Sequence, residues 1–272
     1  MKRWTLDDIP WDRFDPAKVD PEVIKVVKAA SMVEANGGTY AHYLAKVFYD
    51  DPAFQDAAFQ WASEEEQHGA ALARWAELAD PTFDFSARFE DFKEKVKLPD
   101  EIDRSVRGTR TGELVARCIV EVGTSSYYSA LGNAPDEPVL KEMCRRIAAD
   151  ELAHYKLFYK HMKRYIDEEQ LGFWRRLRVA LGRVFESEDD ELAYAYYAAN
   201  HLDDGPYDRR VYARAYARRV YPFFRRRHVE LGIAMILKAI GVRPRDWLTA
   251  RLARLAHGFI RMRAGRLARQ GA

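Results

Sequence analysis

The chain has 272 residues, of which 48% are hydrophobic and 32% are charged, as in globular proteins that bury a sizeable core. Its 15 Gly and 11 Pro are too few and too scattered for a fibrous or disordered chain. Two cysteines, Cys118 and Cys144, make no disulfide framework and fit a reducing compartment. Because no apolar stretch matches a signal peptide or a membrane span, we expect a cytoplasmic protein.

The net charge of +2 hides a strong asymmetry along the chain. The segment 207–272 contains 17 Lys and Arg against three Asp and Glu, a balance of +14, so the rest of the chain carries −12. A basic segment of this size favours an acidic partner, nucleic acid or an anionic membrane surface, and a solvated helical face is the alternative. We expect an acidic protein or a lipid surface as the partner, and no nucleic acid.

Apolar residues recur at helical spacing along nearly the whole chain, and strand signals are weak. Asp-Pro pairs and Gly-Asn-Ala-Pro mark several helix starts and turns. The first four long helices are predicted at about 20–49, 51–80, 111–131 and 135–166. A short amphipathic helix is predicted at 85–96. Two or three further helices are predicted within 172–269, with breaks near 203–206 and 241–244.

One internal repeat stands out, because the segments 64–68 and 150–154 both read acid-Glu-x-x-His. A Glu and a His three positions apart lie on one face of a helix and can bind one metal ion together. The first and third predicted helices each place one Glu within an apolar stretch. The six candidate metal ligands are Glu34, Glu65, His68, Glu121, Glu151 and His154.

The lengths of the predicted helices place these ligands at similar heights along the bundle. The first predicted helix continues for about 16 residues past Glu34, roughly 24 Å, and the chain then returns about 13 residues to Glu65. Glu121 and Glu151 lie about 11 and 15 residues from the turn that joins their helices. Both predicted hairpins therefore carry their carboxylates at mid-length.

Two single Glu and two Glu-x-x-His motifs form the ligand set of ferritin-like di-iron bundles. The sequence therefore predicts an all-α fold, a ferritin-like four-helix bundle at about 20–166 with a long crossover between its second and third helices. Additional helices at about 170–270 complete one predicted domain, 1–272.

Burial explains why this set needs metal. An ionised carboxylate costs several kcal/mol to bury alone, so four that converge on one core require positive charge among them. A metal-binding His usually donates its second ring N–H to a carboxylate or carbonyl. Asp150 and Glu64 are predicted to take this role across the bundle, each for the His of the other motif.

Four segments resemble the iron-binding motifs of the soluble acyl-acyl carrier protein desaturases. Residues 61–69 (Trp-Ala-Ser-Glu-Glu-Glu-Gln-His-Gly) resemble the first Glu-x-x-His motif of that family, and residues 147–154 resemble the second. The segment 34–40 is similar to the family's first ligand segment, and 121–124 is similar to the third. The likeness covers about 20–166.

The resemblance implies a di-iron enzyme that uses O₂ as co-substrate and a ferredoxin-type electron donor, with all six candidate residues as ligands. Its substrate would be a fatty acyl chain on an acidic acyl carrier protein. Thr124 would lie beside the oxygen-binding face and help to deliver a proton. Asp150 would connect His68 to a surface Trp, either Trp4 or Trp11, along an electron route. We also expect a homodimer.

The chain departs from the family pattern in two places. Leu152 and Ala153 replace the basic pair that is usual inside the second motif, and the likeness ends at about 166. The basic C-terminal region is expected to dock the acidic carrier or to make a peripheral lipid contact. Its last helix carries an apolar stripe, which we interpret as core packing with membrane anchoring as the alternative. The stripe consists of Leu252, Leu255, Phe259 and Ile260.

Two local features allow two interpretations each. Tyr127 and Tyr128 follow Glu121 by about two turns, as in a radical-storing protein, but core packing is the preferred interpretation. Gly37 and Gly38 either leave space for a substrate or let two helices approach closely.

Three function classes remain open. The first is an acyl desaturase or a related di-iron oxygenase. The second is a di-iron oxidase, peroxidase or hydroxylase that acts without a lipid substrate. The third is a non-enzymatic iron-binding protein.

Overall fold

The computed structural model describes residues 4–97, 104–186, 190–201 and 205–270. Throughout these ranges the regular structure is helical and contains no strand, which confirms the predicted all-α class. The α-helices are α1 (Pro21–Ala35), α2 (Gly37–Val47), α3 (Pro52–Ala79), α4 (Phe85–Lys95), α5 (Arg110–Leu131), α6 (Pro138–Glu169), α7 (Phe173–Phe185), α8 (Asp190–Asn200), α9 (Arg209–Val220), α10 (Arg226–Ala239) and α11 (Asp246–Gln270).

Side-chain caps fix where the central helices begin. The backbone N–H of Phe54 donates to Asp51 Oδ1 (3.2 Å) at the start of α3. The N–H of Gly112 donates to Thr109 Oγ1 (2.9 Å) at the start of α5. The first N–H groups of a helix have no partner within it, so such caps stabilise each start by about 1 kcal/mol.

The first predicted helix, 20–49, is not continuous. It breaks at Asn36, whose N–H donates to Val33 O (3.2 Å), three residues back, so that α1 ends and α2 begins within one residue. The break lies where the chain touches α3. A Cβ on Gly37 would lie 2.7 Å from Glu65 Cβ, and a Cβ on Gly69 would lie 2.5 Å from the backbone N of Ala35. Of the two interpretations of Gly37, close helix approach is the one that these contacts favour.

Four helical elements surround the centre of the molecule. The pair α1 and α2 packs along α3, α5 packs along α6, and α3 contacts α6. The pair α5 and α6 is antiparallel, because Ser125 Oγ donates to Ala148 O (2.9 Å) whereas Cys118 Sγ contacts Tyr155 O (4.0 Å). The antiparallel pair brings Glu121 and Glu151 to the same height, as the path lengths predict.

Two separate clusters of buried apolar residues fill the interior. One contains Met32, Leu72, Tyr128 and Ile147. The other contains Ala41, Trp61, Cys118 and Tyr155. Helices α3, α5 and α6 each contribute to both clusters and carry polar residues between the two contributions, while α1 contributes to the first cluster and α2 to the second. The polar residues of the centre therefore form a layer with apolar packing on either side.

The C-terminal third contains more helices than the two or three predicted, since α7 to α11 all lie within its described ranges. A 3₁₀ helix at Tyr221–Phe223 separates α9 from α10, and Pro222 within it has no N–H to donate the next hydrogen bond of α9. The predicted break near 203–206 lies partly outside the described residues. Of the helices in the described ranges, none combines the length and apolar character needed to cross a membrane.

Candidate metal centre

The structure brings all six predicted ligands together in the polar layer. They form two groups that share Glu65 and Glu151, and within each group the potential ligand atoms lie within 4.8 Å of one another. All six are at most 7% exposed. The first group is Glu34, Glu65, His68 and Glu151, and the second is Glu65, Glu121, Glu151 and His154.

The inner ring nitrogen of each histidine faces carboxylates. His68 Nδ1 lies 3.3 Å from Glu34 Oε2 and 3.4 Å from Glu151 Oε1. His154 Nδ1 lies 2.9 Å from Glu65 Oε1. Each Nδ1 is thus aimed at the oxygens with which it would share an ion.

The outer ring nitrogens contact the two acids that precede the Glu-x-x-His motifs. His68 Nε2 lies 3.1 Å from Asp150 Oδ2, and His154 Nε2 lies 2.9 Å from Glu64 Oε2. The pairing crosses the bundle as the sequence predicts. A carboxylate on Nε2 fixes the orientation of the ring and leaves Nδ1 for the inner site. That this arrangement supports a bound metal stays a prediction.

Trp4 extends the contact between His68 and Asp150. Its Nε1 donates to Asp150 Oδ2 (2.6 Å), and its ring stacks on the His68 ring with centroids 5.9 Å apart and planes at 7°. Trp11, the other tryptophan considered from sequence, donates instead to Leu6 O (2.8 Å). The structure therefore distinguishes two residues between which the sequence could not choose.

Two hydroxyl groups contact the candidate ligands. Thr124 Oγ1 donates to Glu151 Oε2 (2.6 Å), and Tyr128 OH donates to Glu34 Oε1 (2.6 Å). The interpretation of Tyr128 as core packing is incomplete, because the buried ring carries a hydroxyl that donates to a candidate ligand. Its position seven residues after Glu121, on the same helix face, is the signal that could have identified it.

Burial and mutual repulsion control the charges of the layer. Burial raises the pKa of Glu65 well above its ordinary value and that of Glu121 to about 8. Burial also acts against the charged forms of Glu151 and His68, but their oppositely charged neighbours prevail. The imidazoles, His154 first, lower the pKa of the Glu151 carboxyl, and the carboxylates, Asp150 first, raise the pKa of the His68 imidazole. The shifts have one physical cause in common: a carboxylate of this layer keeps its charge only where positive charge lies next to it.

Several polar atoms of the layer have no hydrogen-bond partner among the described residues. The contact of His154 Nδ1 with Glu65 Oε1 lacks hydrogen-bond geometry, although the atoms are close. Buried polar atoms without partners are costly, and a cation within each group would coordinate them. Two divalent ions would also balance four carboxylates, since +4 matches −4. The donor set therefore fits a pair of metal ions. The atoms are Glu65 Oε1, Glu121 Oε1, Glu121 Oε2, Glu151 Oε1 and His154 Nδ1.

Comparisons with known proteins do not assign this site to a family. No protein-family model matches the chain, and no curated protein matches it. The resemblance to the acyl-acyl carrier protein desaturases stays an expectation from the motifs, and the function is inferred from the geometry described above.

Proposed function

We propose that the chain is a ferritin-like, di-iron, O₂-dependent oxidoreductase that acts on a fatty acyl substrate. The observation that carries this proposal is the convergence of four Glu and two His in two groups that share Glu65 and Glu151. One Glu from each of two helices and Glu-x-x-His from each of the other two is the ligand pattern of ferritin-like di-iron proteins. Imidazole with carboxylates is also a donor set suited to iron.

The two shared carboxylates would contact both ions. Glu34 and His68 would complete one site, and Glu121 and His154 the other. When bound, an iron pair supplies the one-electron and O₂ chemistry that no amino-acid side chain provides. The chain itself contributes the orientation of the ligands, through Asp150 and Glu64 on the outer ring nitrogens.

Two contacts of the chain suit the movement of protons and electrons. Thr124 holds its hydroxyl proton against Glu151 Oε2, at the edge of the layer where O₂ chemistry would occur. The hydrogen-bonded series Trp4–Asp150–His68 leads to the layer from Trp4, which is only 8% exposed and so is not the surface tryptophan that the resemblance implied. We assign it as the entry route for electrons from a ferredoxin-type donor.

The acyl substrate is supported by the desaturase-like motifs and by the surroundings of the site. Apolar clusters on both sides of the polar layer exclude water, which a strong oxidant would otherwise attack. Oxidation of an unactivated methylene pair needs such a dry setting. Delivery by an acidic acyl carrier protein follows from the resemblance alone.

A second candidate function, reduction of O₂ or peroxide without an organic substrate, is favoured by Tyr128. Its hydroxyl bonds directly to Glu34, and a tyrosine in that position can supply a proton and an electron to the site. Consumption of O₂ without any change in an acyl chain would identify this activity.

The test is anaerobic loading with Fe²⁺, removal of excess metal and measurement of iron per chain. We expect about two irons in the native chain and one or none in Glu151→Ala, because that carboxylate belongs to both groups. Glu66→Ala is the matched control, since Glu66 is exposed beside Glu65 and should leave both irons in place. Full occupancy of Glu151→Ala would refute the shared site.

The loaded protein, reduced and exposed to O₂ with acyl-acyl carrier protein, should then yield an acyl chain lacking two hydrogens by mass spectrometry. Unchanged acyl chains together with rapid O₂ uptake would replace the desaturase proposal with the oxidase.

A further inference from the structure

Helix α7 exposes a row of large apolar side chains. Trp174, Leu181 and Phe185 lie at positions i, i+7 and i+11, on one face of the helix. Trp174 is 77% exposed and Phe185 is 82% exposed, while Ala180 on the opposite face is buried against the core. The segment 173–185 also contains four Arg and no acidic residue.

Helix α11 repeats this pattern over a longer span. Trp247 is 63% exposed and Phe259 is 56% exposed, and Leu255 and Met262 are exposed with them. The segment 247–270 contains six Arg and no Asp or Glu. The Arg side chains exposed among these apolar ones are Arg251, Arg254, Arg261, Arg266 and Arg269.

The apolar stripe predicted as core packing in the last helix is therefore divided. Leu252 and Ile260 are half-buried, and Leu252 packs against the second apolar cluster. Leu255 and Phe259 face outward. Core packing explains only the inner half of the stripe, and the outer half requires another explanation.

The two helices begin close to one another. The guanidinium of Arg176, in the first turn of α7, packs on Gly241, where a Cβ would lie 2.8 Å from Nη2. Gly241 has a positive φ of 88° and precedes α11 by five residues. This contact places the start of α7, where Trp174 lies, next to the turn that leads into α11 and Trp247.

A basic cavity of about 300 Å³ adjoins α11. Arg261 of the exposed face lines it, together with His257 one turn earlier. No carboxylate is among its lining residues, although Arg226 also pairs with Glu230 (2.9 Å). The cavity has the charge and size to accept a phosphate group. Its other cationic and aromatic lining residues are Tyr221, Phe224, Arg225 and Arg226.

We propose that the exposed faces of α7 and α11 bind the surface of an anionic lipid bilayer. On both helices the exposed Arg side chains stand among exposed Trp, Phe and Leu, so that the outward faces offer the cationic and apolar groups that membrane-surface helices combine. Anionic headgroups would pair with the Arg side chains, and one headgroup phosphate would occupy the basic cavity. Tryptophan is well suited to the interface, because its ring is apolar and its N–H is polar.

Other occupants fit these faces less well. A second copy would place its own Arg-rich face against this one, and like charges repel. An acidic protein would need apolar side chains opposite Trp174, Phe185 and Trp247 as well as carboxylates opposite the Arg side chains. A bilayer surface supplies anions and apolar matter over the length of both helices without such a residue-by-residue match. The surface shares no residue with the metal centre, so it can be tested whether or not the enzyme is active.

The experiment is sedimentation of the full-length protein with sucrose-loaded vesicles. We expect binding to vesicles of phosphatidylcholine mixed with phosphatidylglycerol, little binding to phosphatidylcholine alone, and weaker binding as NaCl is raised from about 0.1 to 0.5 M. The double variants Trp174→Ser/Phe185→Ser and Trp247→Ser/Phe259→Ser should each lower partitioning by about tenfold or more, because each removes two interfacial anchors.

The matched control is Leu78→Ser. Leu78 is also exposed but lies on α3, which packs against α1, α2 and α6. Its partitioning should equal that of the native chain. The proposal is overturned if the native chain ignores the anionic vesicles, or if both double variants bind them as the native chain does. Co-elution with an acidic acyl carrier protein, without vesicle binding, would likewise overturn it in favour of a protein partner.

Discussion

The polar layer at the centre of the bundle and the outer faces of α7 and α11 reverse the usual distribution of side chains. In the layer, four carboxylates are buried where a globular core is normally apolar. On the outer faces, tryptophan and phenylalanine are exposed where a surface is normally polar. Burying the carboxylates costs folding free energy, leaving the aromatic rings exposed forgoes the gain from their burial, and each region has a charge that its surroundings do not balance.

The sign of that charge indicates which kind of ligand each region could bind. The layer is negative, enclosed and small, so compact cations would neutralise it. The outer faces are positive, extended and partly apolar, so an anionic surface with an apolar interior would match them. In each region the sequence tolerates a local cost, which is the expected mark of a functional site.

The largest expected effect is stabilisation of the layer by metal. Addition of Mn²⁺, or of Fe²⁺ without O₂, should raise the free energy of unfolding by about 4 kcal/mol per site when free metal is about 1,000-fold above Kd. Two sites give about 8 kcal/mol, or roughly 15–30 °C in melting temperature for a chain of this size. Differential scanning calorimetry with and without metal measures this rise in melting temperature.

Glu151→Ala should abolish most of that stabilisation, whereas Glu66→Ala should retain it. An unchanged melting temperature of the native chain in saturating metal would mean that protons alone neutralise the layer. The contrast between the two regions would then be lost, since the buried carboxylates would need no external ligand.

Much of this contrast could be predicted from local signals. The cap at Asp51 defines α3 to within a residue or two, and the repeated Glu-x-x-His places its ligands by helix period alone. The path from Glu34 to Glu65 needs only turn positions and the rise per residue. Such predictions succeed because they depend on one helix, or on two helices joined by a short turn.

Other features depend on contacts between distant parts of the chain, which the sequence does not reveal. The break at Asn36 follows from the closeness of α3, and the bond from Tyr128 to Glu34 spans 94 positions. Whether Phe259 faces inward or outward depends on which side of α11 meets the rest of the molecule. The sequence pattern of an apolar stripe is the same whether the stripe packs inward or faces outward, so the pattern alone could not decide between the two.

A smaller effect tests how tightly the layer is built. Gly69→Ala should lower the free energy of unfolding by about 1–3 kcal/mol, because its Cβ would meet the backbone of Ala35, which cannot yield as a side chain can. Chemical denaturation measures the change.

Gly123→Ala is the control for that substitution. Gly123 also lies within a central helix, but its Cβ would meet no described atom within 4 Å, so we expect stabilisation by about 0.5–1 kcal/mol. Equal effects of the two substitutions would show that α1 and α3 are not in close contact at Gly69.

The smallest effect is expected on the outer faces. Phe259→Ser should change the free energy of unfolding by no more than about 0.5 kcal/mol, because the ring is mostly in water already. Phe158, fully buried in the second apolar cluster, provides the contrast, and Phe158→Ala should cost about 3–5 kcal/mol. If Phe259→Ser lowered the free energy of unfolding as much as Phe158→Ala, the Phe259 ring would be part of the folded core. Weaker vesicle binding by a Phe259 variant would then reflect unfolding of the protein. A phenylalanine that contributes nothing to stability but is needed for vesicle binding would be explained only by the membrane.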